Sequence, residues 1–259
     1  MNWAAIAASS YLIFPRSLWS NSALNSDLNM DLLLLSNSRT PEGGYLGHAL
    51  EAISEWVAGR GRIVFFPFAG VTTRWSDYTE LVRAAFLPLG LPVVGADDLE
   101  PAANSLMDSD VIFIGGGNTF QLLAECRRRE WLEVIQTAVQ QGMPYIGSSA
   151  GSMIACPSIR TTNDMPIIDP GGLGALGFVP FQLNCHFTDF TPPGHQGETR
   201  RQRISEFLTL HPDVTVIGLP EGDWIRVRDD NFVLHGAHPA WRFQLGRDAV
   251  QLSVGDAIR

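Results

Sequence analysis

The chain has 259 residues, of which 45% are hydrophobic and 17% charged, a length and composition that suit one α/β domain with a sizeable core. A formal net charge of −9 and a pI near 5.1 argue against a surface that binds nucleic acid or an anionic membrane by charge. All 18 basic residues are arginine, which excludes every mechanism that needs a lysine, from the P-loop to Schiff-base chemistry.

Residues 1–29 are mildly apolar and rich in serine and asparagine. They carry no positive charge before the apolar part, and Pro15 and Arg16 interrupt them, so neither a signal peptide nor a membrane span is expected. Because Met30 stands directly before an apolar run, we expect 1–29 to be a disordered N-terminal extension and 30–259 a single α/β domain. The three cysteines are too few for a disulfide framework and favour a cytoplasmic location.

From Met30 onward, short apolar runs alternate with longer amphipathic stretches. Strands that are apolar throughout, each followed by a helix, are typical of a parallel sheet buried on both faces. The predicted fold class is therefore α/β, a three-layer sandwich around a mostly parallel, doubly wound sheet. The predicted strands are, in chain order, Leu32–Leu35, Ile63–Phe66, Leu91–Val94, Asp110–Ile114, Pro144–Ile146, Gln182–Asn184 and Val214–Leu219. The predicted helices are Tyr45–Ala58, Ser76–Leu87, Phe120–Arg129, Trp131–Gln141, Ser152–Ala155 and Thr199–Leu210, and short antiparallel strands fill 224–252.

The motif Gly147-Ser148-Ser149-Ala150-Gly151 lies between a predicted strand and a predicted helix, at the sheet edge where ligands bind in such folds. Small residues on both sides allow the tight turn of a nucleophile elbow, which lifts one hydroxyl above the sheet. Ser149 is therefore the candidate nucleophile, and the Ala150 N–H is a candidate oxyanion donor. The pentapeptide is equally consistent with a plain turn in which a serine caps the helix.

The loop Gly115-Gly116-Gly117-Asn118 also follows an apolar strand and precedes a helix. It lacks the dinucleotide-binding pattern, because Phe120 occupies the last glycine position of that motif. As the loop beside an elbow it would supply a second oxyanion donor, with the Gly117 N–H the most suitable, and Asn118 is a candidate substrate contact. A plain turn is the alternative.

A serine nucleophile needs a general base, and His186 is the best candidate because it directly follows a predicted strand at the same edge. His195, in a loop rich in proline and glycine, is a candidate substrate contact. Two acids could orient the imidazole: Asp164, which lies 15 residues after Ser149, and Glu221, which follows another strand. Spacing does not choose between them. The sequence contains no zinc-binding motif, and no metal is expected.

Several motifs after Met30 resemble those of the peptidase E family. They are LLLLSNS, FFPFAGVT, GGGNTFQLL, YIGSSAG, ACPSIRTTNDMPI, PPGHQGETRRQRI and VIGLPEG, and they extend over nearly the whole predicted domain. The resemblance implies the class I glutamine amidotransferase-like fold. It also implies a cytoplasmic serine peptidase that hydrolyses dipeptides with an N-terminal aspartate and uses neither a metal nor an organic cofactor.

The resemblance further implies roles for individual residues. Arg200 matches the basic residue expected to pair with the aspartyl carboxylate, a task that suits a bidentate guanidinium. The other matched residues are Ser149 as nucleophile, His186 as base, Asp164 and Glu221 as alternative third members, and Gly117 and Ala150 as oxyanion donors.

The chain departs from the family pattern at a few positions around the predicted site. Ser148 stands where tryptophan is usual, Ser152-Met153 replaces Ala-Asn, and Cys185 and Asp189 replace a proline and an asparagine. Two alternatives therefore stay open: a cyanophycinase-like serine hydrolase of aspartyl polymers, and a non-catalytic small-molecule binder on the same fold. No nucleic-acid or membrane partner is expected, and the protein is predicted to be a monomer or a weak homodimer.

Overall fold

The computed structural model describes residues 30–41, 43–107 and 110–258, so the predicted N-terminal extension lies outside the described residues. Within those ranges, no helix has the length and apolar character needed to cross a membrane. The helices are α1 Leu50–Val57, α2 Trp75–Phe86, α3 Thr119–Arg128, α4 Trp131–Gln140, α5 Ala150–Ile154 and α6 Arg200–Leu210. The strands are β1 Asp31–Leu35, β2 Arg62–Phe66, β3 Val93–Gly95, β4 Asp110–Ile114, β5 Tyr145–Ser148, β6 Gln182–Cys185, β7 Val216–Leu219, β8 Trp224–Arg228, β9 Asn231–His235, β10 Ala240–Phe243 and β11 Val250–Leu252.

The main sheet has seven strands in the order β3-β2-β4-β5-β1-β8-β9. The first five of these strands are parallel to one another, whereas β8 pairs antiparallel with both β1 and β9. A tight turn between β8 and β9 contains Asp229 with a φ of 53°. The predicted antiparallel strands near the C-terminus are therefore confirmed.

The main sheet is buried on both faces because its central strands β1, β2 and β4 are apolar at every position after the first. In β1, Leu32 and Leu34 belong to one core, and Leu33 and Leu35 belong to the core on the opposite face. This alternation follows from the two-residue period of a strand. Helices α1 and α2 cover one face, and α3, α4 and α5 cover the other. The predicted three-layer α/β sandwich is confirmed.

Helix α1 starts later than the sequence predicts. The predicted helix spans Tyr45–Ala58, but the structure begins it at Leu50. Leu46 has a φ of 61°, which no right-handed helix can include, and its N–H donates to the Ser38 carbonyl at 2.7 Å. The residues before the helix therefore form a turn at the edge of the sheet where β1 ends.

Strands β6 and β7 leave the main sheet and form a second sheet with the order β11-β10-β7-β6, which the sequence did not distinguish from the first. Because β6 and β7 are parallel and Cys185 pairs with Leu219, the residues that follow them emerge at one edge, His186 directly and Glu221 after one intervening residue. Ser36, which follows β1, joins the two sheets: its Oγ donates to the Leu219 carbonyl at 2.8 Å and accepts the His186 N–H at 2.9 Å.

Candidate active site

Ser149 stands at the turn between β5 and α5 in a strained backbone conformation, with φ of 51° and ψ of −108°. Its N–H donates to the Leu35 carbonyl at 3.0 Å, which ties the turn to the end of β1. The Ser149 side chain does not cap the helix, and its Oγ lies 2.8 Å from His186 Nε2. Of the two interpretations of the motif, the geometry favours the nucleophile elbow over the capping serine.

The two glycines of the elbow are required by close packing. A Cβ on Gly147 would stand 2.7 Å from the backbone of Gly151, and a Cβ on Gly151 would overlap the Ile114 carbonyl oxygen at the end of β4. A side chain at either position would push the turn away from the sheet. The small residues in the sequence motif therefore place Ser149 directly above the end of the parallel strands.

The loop after β4 packs against the elbow. A Cβ on Gly116 would stand 3.2 Å from the Ser149 Cβ, and one on Gly117, where φ is 137°, would overlap the Ala69 carbonyl oxygen. Within residues 30–41, 43–107 and 110–258, neither the Gly117 N–H nor the Ala150 N–H donates a hydrogen bond. Both donors are therefore available to a negatively charged oxygen that forms beside Ser149.

Two tyrosines that the sequence analysis did not identify support this loop. Tyr78 Oη donates to the Gly116 carbonyl at 3.1 Å, and it lies 3.2 Å from Tyr45 Oη. Burial raises the pKa of both phenols, so both stay protonated at neutral pH. The two tyrosines come from distant segments, and neither stands in a motif that could have indicated this role.

His186 is held on both sides of its ring. Its Nδ1 lies 2.6 Å from Glu221 Oε1, and its Nε2 faces Ser149. A carboxylate at Nδ1 favours the tautomer with the proton on that nitrogen, which leaves Nε2 free to accept the serine proton. The His186 backbone has a φ of 55° and donates its N–H to Ser36. Ser36 is a second residue that the sequence analysis missed, although its place at the end of β1 gave a signal.

Asp164, the other candidate acid, binds elsewhere. Its Oδ2 accepts the Thr119 N–H at 2.7 Å, the Thr119 hydroxyl at 2.5 Å and the Thr162 hydroxyl at 3.1 Å. These bonds satisfy a free donor at the start of α3, two residues after Gly117. The structure therefore pairs His186 with Glu221. Asp164 instead supports the loop that carries Gly117, a candidate oxyanion donor.

Asn118 lines the cleft, but both ends of its side-chain amide are already bonded. Its Oδ1 accepts the Gln121 N–H at 3.0 Å and caps α3, while its Nδ2 donates to the Met165 carbonyl at 2.9 Å. The amide thus holds the backbone around the cleft, which leaves it less suited to the predicted substrate contact.

Arg200 and His195 do not line the cleft, although the sequence analysis named both as substrate contacts. His195 is exposed in the loop before α6. Arg200 is the first residue of α6 and is half-buried; burial and the nearby Arg203 lower the pKa of its guanidinium, and the charge of Asp164 opposes this effect. Arg200 therefore lies within electrostatic range of a cleft residue without reaching the cleft itself.

The cleft has a volume of about 740 Å³ and contains Ser149, His186 and Glu221 together. It is built by the segments that follow the parallel strands, as expected for ligand sites in α/β sheets. A second, much smaller cavity of about 20 Å³ lies beside Ser149, and Met153 and Cys185 line it. Two of the departures from the family pattern thus border the candidate nucleophile. No cluster of three or more potential metal ligands occurs in the described part of the chain.

The α/β fold and this cleft together define a class of protein, the serine hydrolases. A serine at a strand-to-helix turn, a histidine hydrogen-bonded to it and a carboxylate behind the histidine are the parts that this class requires. Free backbone N–H groups beside the serine complete the arrangement.

Comparison with known proteins narrows the class. Residues 32–235 match the model of Peptidase family S51. The chain is 51% identical to Peptidase E of Citrobacter koseri and 50% identical to Peptidase E of Salmonella arizonae, in each case over 226 residues that cover 87% of this chain and 99% of the relative. The chain belongs to peptidase family S51. The predicted resemblance to peptidase E is confirmed, and with it the prediction of a hydrolase of the serine-peptidase type.

Two solved structures share the fold at low sequence identity. A peptidase from an acI-B1 Actinobacterium has a TM-score of 0.65 at 18% identity and covers 89% of this chain and 98% of its own. A protein from Listeria monocytogenes EGD-e has a TM-score of 0.61 at 24% identity and covers 80% of this chain and 98% of its own. These likenesses bear on the fold alone.

Proposed function

We propose that the protein is a serine-type dipeptidase that hydrolyses dipeptides with an N-terminal aspartate, Asp-X, through an acyl-enzyme. The observation that carries the proposal is the 2.8 Å contact between Ser149 Oγ and His186 Nε2, in a chain half identical to enzymes named Peptidase E. Ser149 is the proposed nucleophile, His186 the general base and Glu221 the acid that orients it.

In the first half of the reaction, Ser149 Oγ attacks the carbonyl carbon of the peptide bond while His186 Nε2 takes the hydroxyl proton. The carbonyl oxygen becomes an oxyanion, and the N–H groups of Gly117 and Ala150 donate to it. The protonated imidazole is stabilised by the Glu221 carboxylate, which lies 2.6 Å from its other nitrogen. The short contacts among Ser149, His186 and Glu221 support a mechanism in which these three side chains need little reorganisation.

In the second half, the C–N bond breaks and His186 gives its proton to the leaving amine, which departs as the free amino acid X. A water molecule then attacks the aspartyl ester on Ser149, and His186 takes the proton of this water. Collapse of the second tetrahedral intermediate releases aspartate and returns the proton to Ser149 Oγ.

We propose Arg200 as the partner of the aspartyl side-chain carboxylate. Support comes from its electrostatic interaction with Asp164, which lines both the cleft and the small cavity beside Ser149. Because Arg200 lies outside the cleft lining, this pairing requires its side chain to move toward the cleft. His195 is in the segment before α6 and is the second proposed contact.

We also propose that the protein acts in the cytoplasm. Its three cysteines are free and buried, which fits a reducing compartment in which disulfides do not form.

The substrate proposal is tested with four compounds: Asp-Leu, Glu-Leu, Asn-Leu and N-acetyl-Asp-Leu, each incubated with the protein in EDTA. We expect cleavage of Asp-Leu alone. The proposed enzyme requires a carboxylate on the side chain of the first residue, the length of an aspartyl side chain and a free N-terminal amine. If none of the four is cleaved, an aspartyl polymer is tested next, and its cleavage would favour the cyanophycinase-like alternative. Failure to cleave any substrate, together with inertness to a serine-directed phosphonate, would favour the non-catalytic binder and refute the proposal.

A further inference from the structure

Arg39 is an arginine that lines the same cleft as Ser149 and His186. Its guanidinium lies over the Tyr45 ring, 5.6 Å from the ring centre, and the residue is exposed. In the part of the chain that the structure describes, no carboxylate forms an ion pair with Arg39. An exposed arginine that lines a peptidase cleft can bind an anionic group of the substrate.

Arg39 is bonded through its backbone to Asn37, and its charge acts on Tyr45 and Tyr78. The Asn37 amide donates to the Arg39 carbonyl. Burial raises the pKa of Tyr45 and Tyr78, and the charge of Arg39 opposes that rise at both phenols. The positive charge of Arg39 therefore acts on the two tyrosines that support the loop after β4.

The segment that carries Arg39 is hydrogen-bonded to the segment that carries Glu221. Asn37 Oδ1 accepts the Gly222 N–H at 2.8 Å, so the segment after β1 is joined to the residue directly following Glu221. In serine peptidases the histidine passes its proton to the leaving amine, and the leaving residue therefore lies near the histidine and its acid. Arg200, in contrast, interacts with Asp164 at the start of α3.

We propose that Arg39 binds the C-terminal carboxylate of the dipeptide and makes the enzyme selective for substrates that end one residue after the scissile bond. The inference rests on the proposed function. An Asp-X dipeptide carries two carboxylates, one on the aspartyl side chain and one at its C-terminus, and Arg200 and Arg39 are the matching pair of cations. In a longer peptide the second carboxylate is replaced by a neutral amide, which cannot form the ion pair.

The test compares kcat/KM for Asp-Leu and for Asp-Leu amide, whose C-terminus is neutral. We expect the unmodified enzyme to prefer the free acid by about tenfold, a typical value for one charge-assisted pair at a partly exposed site. Arg39→Gln is expected to remove most of that preference by raising KM for Asp-Leu, with kcat nearly unchanged, and Arg39→Lys is expected to restore part of it. Added salt should weaken the preference of the unmodified enzyme.

Arg74→Gln is the matched control, since Arg74 is an exposed arginine that pairs with Asp77 and does not line the cleft. It should leave both substrates unaffected. An Arg39→Gln variant that keeps the preference for the free acid would overturn the inference, and so would an equal loss on both substrates, which would assign Arg39 to the aspartyl end. An unmodified enzyme that leaves Asp-Leu intact would refute the proposed function as well, so the two failures are distinguishable.

Discussion

Replacing Glu221 by glutamine keeps the size of the side chain and removes its negative charge. In the structure this carboxylate accepts from His186 Nδ1 at 2.6 Å, and its side chain is 61% exposed. The exchange therefore tests one interaction, the stabilisation and orientation of the imidazole, without disturbing a buried region. Glu206→Gln, at an exposed position of α6, is the matched control.

The size of the effect follows from the type of bond and from its exposure. A charge-assisted hydrogen bond contributes about 1.5–3 kcal/mol, and solvent screening at an exposed carboxylate places Glu221 in the lower part of that range. About 1.4 kcal/mol corresponds to a tenfold change in rate. We therefore expect Glu221→Gln to lower kcat for Asp-Leu by about 10- to 30-fold and to leave the thermal unfolding temperature unchanged.

Asp164→Asn provides the contrast, because Asp164 accepts three hydrogen bonds through one oxygen at the start of α3. We expect this variant to lose about 1–2 kcal/mol of unfolding free energy, as helix-capping substitutions do. Steady-state kinetics and thermal unfolding of both variants separate the two roles. A Glu221→Gln enzyme with kcat within about threefold of the unmodified enzyme, or an Asp164→Asn enzyme that loses activity with no loss of stability, would refute the assignment of Glu221.

Three further predictions concern the scaffold around the site. Gly151→Ala should destabilise the protein by about 3 kcal/mol or more in thermal unfolding, because the new Cβ would overlap the Ile114 carbonyl. Asp110→Asn should cost about 3 kcal/mol in denaturant unfolding, since Asp110 is fully buried and holds Arg62 through two hydrogen bonds of 2.9 Å. The native protein should not react with a thiol reagent at pH 8, because burial raises the pKa of its cysteines, that of Cys156 to about 12, and all three thiols should react in denaturant.

The two substitutions each have a control. Gly174→Ala introduces a Cβ that meets nothing within 4 Å, and Asp77→Asn breaks an exposed ion pair that solvent screens, so both should change stability little. Equal stability of Gly151→Ala and Gly174→Ala would contradict the packing of the elbow. An equal loss of unfolding free energy in Asp110→Asn and Asp77→Asn would contradict the role of the buried ion pair. Rapid labelling of the native protein by the thiol reagent would contradict the burial of the thiols.

The layers of the fold could be predicted because burial on both faces leaves a local signal. The sequence predicts strand β4, Asp110–Ile114, at its observed bounds, because a short apolar run ends there at a series of glycines. Helix α1 was predicted too long, because the periodicity of its apolar residues continues into a turn that only the φ of Leu46 reveals. The split into two sheets depends on hydrogen bonds between strands far apart in sequence, and no local pattern encodes them.

Some residues of the candidate site could likewise be predicted from the sequence, and others could not. Ser149 and His186 could be found because each directly follows a buried strand, and parallel strands end at one edge. The sequence could not decide between Glu221 and Asp164, because both acids stand in suitable segments. Only tertiary packing brings Glu221 to the histidine and Asp164 to the start of α3. Arg39 lacked any spacing relation to the nucleophile and became visible only as part of the cleft wall.

The most direct test of the mechanism is the turnover of Asp-Leu by Ser149→Ala, measured beside the unmodified enzyme and a Ser205→Ala control at an exposed position of α6. Loss of the nucleophile should lower kcat by about 10⁴-fold or more, as in other serine hydrolases, while Ser205→Ala retains full activity. A Ser149→Ala enzyme that still cleaves Asp-Leu within about tenfold of the unmodified rate would contradict the assignment of Ser149 as nucleophile.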